Sequence, residues 1–294
     1  MGKWIFLALL VSAFSASALA HQTGQRQLCK GFLPENDLYI PEYSASLAGR
    51  APGITKTQFN SILDKVQAEY SQEIARLGAK FKIERKWSDG TVNAYAYQDG
   101  RTWIIAMYGG MARHSAMTAD GFLSVACHEV GHHLGGSPKS KMEDGQWASI
   151  EGQSDYYATL KCLRRMFLRD DNAKALASMK LDPTAVSYCR AQGFSQQDEL
   201  ICIRGAMAGV NLASVLAIMD QNKVPKLTTP DPRRVWTTYE EHPRAQCRMD
   251  TYFQGALCRV PYNQSLDNRD YRTGTCDDPS AYAHGLRPRC WFAP

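Results

Sequence analysis

Residues 121–136 read GFLSVACHEVGHHLGG, and the rest of the chain is best understood outward from them. Phe122, Leu123, Val125, Ala126 and Val130 build one apolar face at helical spacing, which Gly135-Gly136 closes, so the stretch predicts a helix running from Thr118. Inside it lies His128-Glu129-Val130-Gly131-His132. Residues four apart on a helix stand ~40° apart around its axis, so His128 and His132 present two imidazoles on one side, one turn apart. Two nitrogens so placed can grip one metal ion. Glu129 stands ~100° round from His128, outside the bond directions of the imidazoles but within reach of a metal-bound water, which is the position of a general base.

A catalytic zinc site takes three protein ligands and keeps a fourth position open. A third ligand six residues past His132, as in metzincins, is excluded because Pro138 stands there. The following helix offers Glu151-Gly152-Gln153-Ser154-Asp155 instead. Glu151 and Asp155 are again four apart and face one way, so Glu151 is the expected ligand. Asp155 is expected to accept the outer N–H of a ligand histidine, His128, fixing its tautomer. The pair HExxH and ExxSD, spanning residues 121–155, resembles the gluzincin clan of zinc metallopeptidases, whose best-known member is thermolysin. That resemblance implies a zincin-like fold with Zn2+ held by His128, His132 and Glu151, Glu129 as base and Asp155 behind His128. Met117-Thr118 through His132, with the later His242-Pro243, also resembles the HtpX- and BepA-like metalloendopeptidases. In those proteins a His-Pro pair opens a helix near the active site, which brings in His242 as a catalytic donor, with Tyr156 and Tyr157 as alternatives. The short step from His132 to Glu151 is the more thermolysin-like feature.

Upstream of the motif, Phe59, Ile62, Val66, Tyr70, Ile74 and Leu77 recur at helical spacing before Gly78, predicting a helix over about 56–77. Phe81 to Trp87 alternates, and Thr91 to Tyr97 and Arg101 to Tyr108 flank Gln98-Asp99-Gly100 as a hairpin, which predicts three antiparallel strands. If Trp103 to Tyr108 forms the sheet edge over the metal helix, it would receive an extended peptide by strand addition. Downstream, helices are expected over about 150–168, 171–180, 184–191 and 196–221, with another opening at His242-Pro243 because proline suits the first helical position. A small antiparallel sheet on the metal helix, followed by helices, is an α+β arrangement.

Residues 1–20 have the features of a secretory signal, Lys3 before an apolar run that ends in Ala18-Leu19-Ala20. Residues 21–257 are then one peptidase domain and 258–294 a cysteine-rich tail. No later stretch is expected to cross a membrane. The nine cysteines, all after residue 20, predict disulfides in an oxidising compartment, periplasmic or extracellular. Nine is odd, and Cys127, inside the apolar metal helix, is expected to be the unbridged one. His133 is expected to be a solvent-edge or supporting residue rather than a ligand. The net charge of +5 is dispersed among acids and predicts no nucleic-acid binding. The expected function is an exported zinc endopeptidase acting on peptide or protein substrates. A zinc-binding, chaperone-like protein without turnover is its rival, and an aminopeptidase ranks behind both.

Overall fold

The computed structural model describes residues 27–42, 53–141, 147–221 and 223–294. The expected signal segment 1–20 and the middle of the loop from Ser137 to Ser149 therefore lie outside the described residues. The chain opens with a two-residue strand β1 (Gln27–Leu28) and helix α1 (Lys56–Arg76). Thr55 caps α1 with a reciprocal box, its hydroxyl taking the Gln58 amide while the Gln58 side chain accepts from the Thr55 amide, which satisfies two orphan donors at the helix start. Strands β2 (Lys80–Lys86), β3 (Ala94–Asp99) and β4 (Thr102–Tyr108) follow. A short helix α2 (Gly109–Arg113) then leads to α3 (Ala119–Leu134), the helix of the histidines.

The sheet order is β1-β3-β4-β2. β3 and β4 form the hairpin, but β2 runs parallel to β4, pairing Lys80 with Thr102 through Lys86 with Tyr108. The three-stranded antiparallel expectation is thus corrected to a mixed sheet. Segment 87–93 is a crossing rather than a tight turn, and buried Arg113 holds it there by donating to the carbonyls of Trp87 and Asp89. With β2 carried past the hairpin, β4 is interior and flanked on both sides, so it cannot be the edge that receives a peptide. The long edge facing α3 belongs to β3, and β1 covers its end.

Beyond the loop, α4 (Glu151–Tyr157) passes through a π-helical turn (Ala158–Cys162) into α5 (Leu163–Phe167). Helices α6 (Asn172–Ala177), α7 (Pro183–Ala191) and α8 (Gln196–Leu216) complete a helical half, with α9 (Ala245–Leu257) laid across α8 and α4. α8 is long and apolar enough to cross a membrane by length and composition, contrary to expectation, but most of its apolar window is buried inside the fold, where it serves as a core helix. α9 begins at Ala245 with Arg244 at its cap, so Pro243 is not its first helical residue.

Four disulfides are present among the described residues: Cys127–Cys162, Cys189–Cys202, Cys247–Cys290 and Cys258–Cys276. Cys127 is therefore bridged, and the cysteine outside the bridges is the buried Cys29. The expectation failed because the turn after α4 brings Cys162 against the same face of α3, so an apolar helical cysteine found an equally buried partner.

Candidate metal centre

The site forms where α3 and α4 touch, and a glycine lets them approach: a Cβ on Gly131 would lie 3.0 Å from Ser154 Cα. Gly152 of α4 instead makes room for the C-terminal segment, since a Cβ there would lie 2.3 Å from Cδ2 of buried Trp291. The approach brings Glu151, the first residue of α4, against the two histidines. His128 Nε2 and His132 Nε2 stand 3.1 Å apart. Glu151 Oε2 lies 3.3 Å from His128 Nε2, and Oε1 lies 3.6 Å from His132 Nε2. Donors bound at ~2.0–2.1 Å in a tetrahedron would be separated by ~3.3–3.4 Å, so these three edges fit a single small divalent ion.

Hydrogen bonding on the far side of each ring fixes which nitrogen faces inward. His128 Nδ1 is 2.7 Å from Asp155 Oδ1 and His132 Nδ1 is 2.8 Å from the Ser149 carbonyl. Each Nδ1–H donates outward, so both Nε2 lone pairs converge on each other and on the Glu151 carboxylate. Three acceptors aimed at one point repel unless a cation lies among them. Burial opposes charge on His128, but Asp155 and then Glu151 outweigh it and raise its pKa to about 9, whereas burial takes His132 down to about 4. Glu151 is held down at about 2, against its burial, by His242 and the two site histidines.

Asp155 does double service. Besides His128, it receives Arg248 of α9 in a two-pronged ion pair, Nε to Oδ2 at 2.7 Å and Nη2 to Oδ1 at 2.8 Å, both partners fully buried. Arg248 outweighs desolvation and holds Asp155 well below the usual carboxylate range. Sequence reading missed Arg248, whose only signal was one cation among the apolar residues of α9.

Glu129 is buried, and neither carboxylate oxygen has a hydrogen-bond partner among the described residues. Burial drives its pKa up to about 8. An orphaned carboxyl beside three convergent donors is the polar atom a metal site would leave for a reacting water or substrate. His242 reaches the rim from the loop before α9, with Nε2 3.4 Å from Glu151 Oε2 and 2.6 Å from the Gly31 carbonyl, to which it donates. Tyr156 and Tyr157 are turned elsewhere, the first donating to the Gly285 carbonyl and the second to the Tyr70 hydroxyl. His133 is not at the solvent edge. It is buried in a stack between Trp103 and Trp147, with Nε2 3.1 Å from the Ile104 carbonyl.

Cys29 is a further site residue that sequence reading did not single out. Its Sγ lies 3.2 Å from His132 Nδ1, and it forms with His132 and Glu151 a buried group whose ligand atoms all lie within 4.8 Å of one another. Compared with known protein families, curated proteins and solved structures, the chain matches none.

Proposed function

We propose that the chain is an exported zinc endopeptidase of gluzincin type, with His128, His132 and Glu151 holding Zn2+ and Glu129 moving the proton. The observation that carries this reading is the convergence of two Nε2 lone pairs and a carboxylate at tetrahedral spacing beside a buried carboxyl that has no hydrogen-bond partner among the described residues. Bound Zn2+ would supply Lewis-acid polarisation of a carbonyl and a water of lowered pKa. Glu129 would accept a proton at its carboxylate and return it to the leaving amine; with no metal bound, burial raises the pKa of this carboxyl to about 8. Asp155 and Arg248 orient His128. His242, with its N–H at the rim, is assigned to donate to the substrate carbonyl oxygen. Sheet, histidine helix and a glutamate from the next helix support a zincin-like reading of the α+β fold. Four disulfides support an oxidising compartment, periplasmic or extracellular.

The test is cleavage of an unfolded protein by zinc-loaded chain, run in wild type and in a Cys29→Ser background because Cys29 lies against His132. Adding Glu129→Gln to that background is expected to leave zinc bound and lower chelator-sensitive cleavage by about 10²–10⁴-fold, the usual worth of a positioned acid–base group. Undiminished cleavage with Glu129→Gln, or none from Cys29→Ser protein holding a full zinc complement, would overturn the proposal.

A further inference from the structure

His242 belongs to two surroundings. Its Nε2 is 3.4 Å from Glu151 Oε2 at the metal-capable cluster, and the same residue lines a cavity of about 480 Å³ together with Arg233, Arg234, Tyr239 and Arg244. That volume is in the range of small-ligand sites. No carboxylate lines the cavity among the described residues. Arg233 is already engaged, because its guanidinium meets Asp231 with Nε to Oδ1 at 2.8 Å and Nη2 to Oδ2. Arg234 and Arg244 are exposed, and their side chains make no hydrogen bond or ion pair among the described residues. The cavity therefore carries two positive charges that nothing in its own wall pairs. A guanidinium offers its N–H groups as a planar fork, which matches the two oxygens of a carboxylate.

The walls are fixed in place. Val235 N donates to the Arg289 carbonyl at 2.9 Å, Tyr239 N to the Trp291 carbonyl at 2.8 Å, and the Thr238 hydroxyl to the Ala293 carbonyl. Cys290, itself in the wall, is bridged to Cys247 of α9, and Arg244 stands at the cap of the same helix. A cavity built this way loses little freedom when it is filled.

His242 also sets where the cavity lies along a substrate. It is assigned above to donate to the substrate carbonyl oxygen, so what enters the cavity belongs to residues near the bond being cut. An extended peptide advances ~3.3 Å per residue, which puts a carboxylate held by Arg234 and Arg244 within about two residues of that bond.

We propose that this cavity is a specificity subsite for a substrate carboxylate, bound by Arg234 and Arg244, so that the chain selects peptides with an acidic group close to the scissile bond. The proposal rests on the peptidase reading above. The acidic group has two sources, an Asp or Glu side chain or the carboxylate at the substrate's own C-terminus.

The test uses zinc-loaded chain and short N-blocked peptides that differ only by Glu against Gln at each position, every peptide made with a free and with an amidated C-terminus. A peptide with Glu at one fixed position is expected to exceed its Gln counterpart in kcat/KM by at least about 10-fold, the lower end for a hydrogen bond to a charged group. A side-chain source keeps that ratio on amidation, whereas a terminal source shows instead as a comparable loss when the C-terminus is amidated. Arg234→Gln combined with Arg244→Gln is expected to bring the ratio to about one, and Arg234→Glu to favour Lys over Glu at the same position, which a merely structural role would not do. Equal rates for acidic and neutral peptides at every position and with both kinds of terminus, or a preference that survives in the double variant, would overturn the proposal and leave the peptidase reading standing. No cleavage of any peptide by zinc-loaded chain would remove both.

Discussion

Asp155 is the residue on which the site's geometry depends, because one buried carboxylate orients His128 and neutralises Arg248 at the same time. Asp155→Asn replaces an acceptor-only group with one whose amide must face a donor. Leaving Arg248 as a buried cation without its counter-ion is expected to cost about 3–5 kcal/mol, read from urea unfolding. Loss of the oriented His128 is expected to weaken metal binding by about 10–100-fold, read by titration of the folded variant. At this scale the sequence spoke clearly only where residues are close along the chain. His128 with His132, and Glu151 with Asp155, are legible because four residues make one helical turn. Arg248 lies 93 residues from Asp155, and no spacing rule connects two positions that meet only through the packing of α9 on α4. Cys29 was indistinguishable from eight other cysteines until the β1–β3 pairing placed it.

At the scale of elements, the centre is a close contact between two helices, and its tolerance is set by Gly131. A methyl there would sit 3.0–3.2 Å from three atoms of Ser154, two of them backbone, so α4 must move. Gly131→Ala is expected to destabilise the fold by about 1–3 kcal/mol, as overpacking does, and to weaken metal binding by separating Glu151 from the histidines. Calorimetry and metal titration of the same preparation check the two effects together. The Cys127–Cys162 bridge ties these same elements across 35 residues. Replacing both cysteines by alanine is expected to lower stability by about 2–4 kcal/mol in chemical denaturation, mainly through a freer unfolded chain. Helices were legible at this scale because a 3.6-residue period is a local property, and α1 and α3 lie within a residue or two of their expected limits. The order of the strands was not, since alternation identifies a strand and says nothing about its neighbours. In the sequence only residues 88–90 separate the two expected strands, whereas in the structure residues 87–93, held by the buried Arg113, carry β2 to the far side of β4.

Over the whole molecule, the cysteine-rich end is built into the helical half. Cys290 bridges to Cys247 in α9, Trp291 is fully buried and donates to Thr251, and Arg287 donates to Gln153 beside Glu151. The same half contains a buried lysine, Lys161, with no carboxylate partner among the described residues, whose Nζ donates to the Pro261 carbonyl. Burial, reinforced by Arg164 and Arg165, lowers its pKa from 10.5 to about 7. Between those values the unfolded chain binds a proton that the folded chain does not. This group's contribution is therefore fully present above pH 10.5 and is lost as pH falls through about 7. Wild type is expected to gain stability from pH 7 to 9 relative to Lys161→Met, with a slope of at most about 1.4 kcal/mol per pH unit, the value for one proton. Parallel stability curves for the two proteins would contradict it.

The central claim is that His128, His132 and Glu151 hold one divalent metal, and calorimetric titration of Zn2+ into the disulfide-intact chain and into Glu151→Gln tests it most directly. One ion per wild-type chain is predicted, with affinity falling by about 100-fold or more in the variant because a charged ligand is lost. Folded wild type that binds no zinc, or equal affinity in Glu151→Gln, would contradict it.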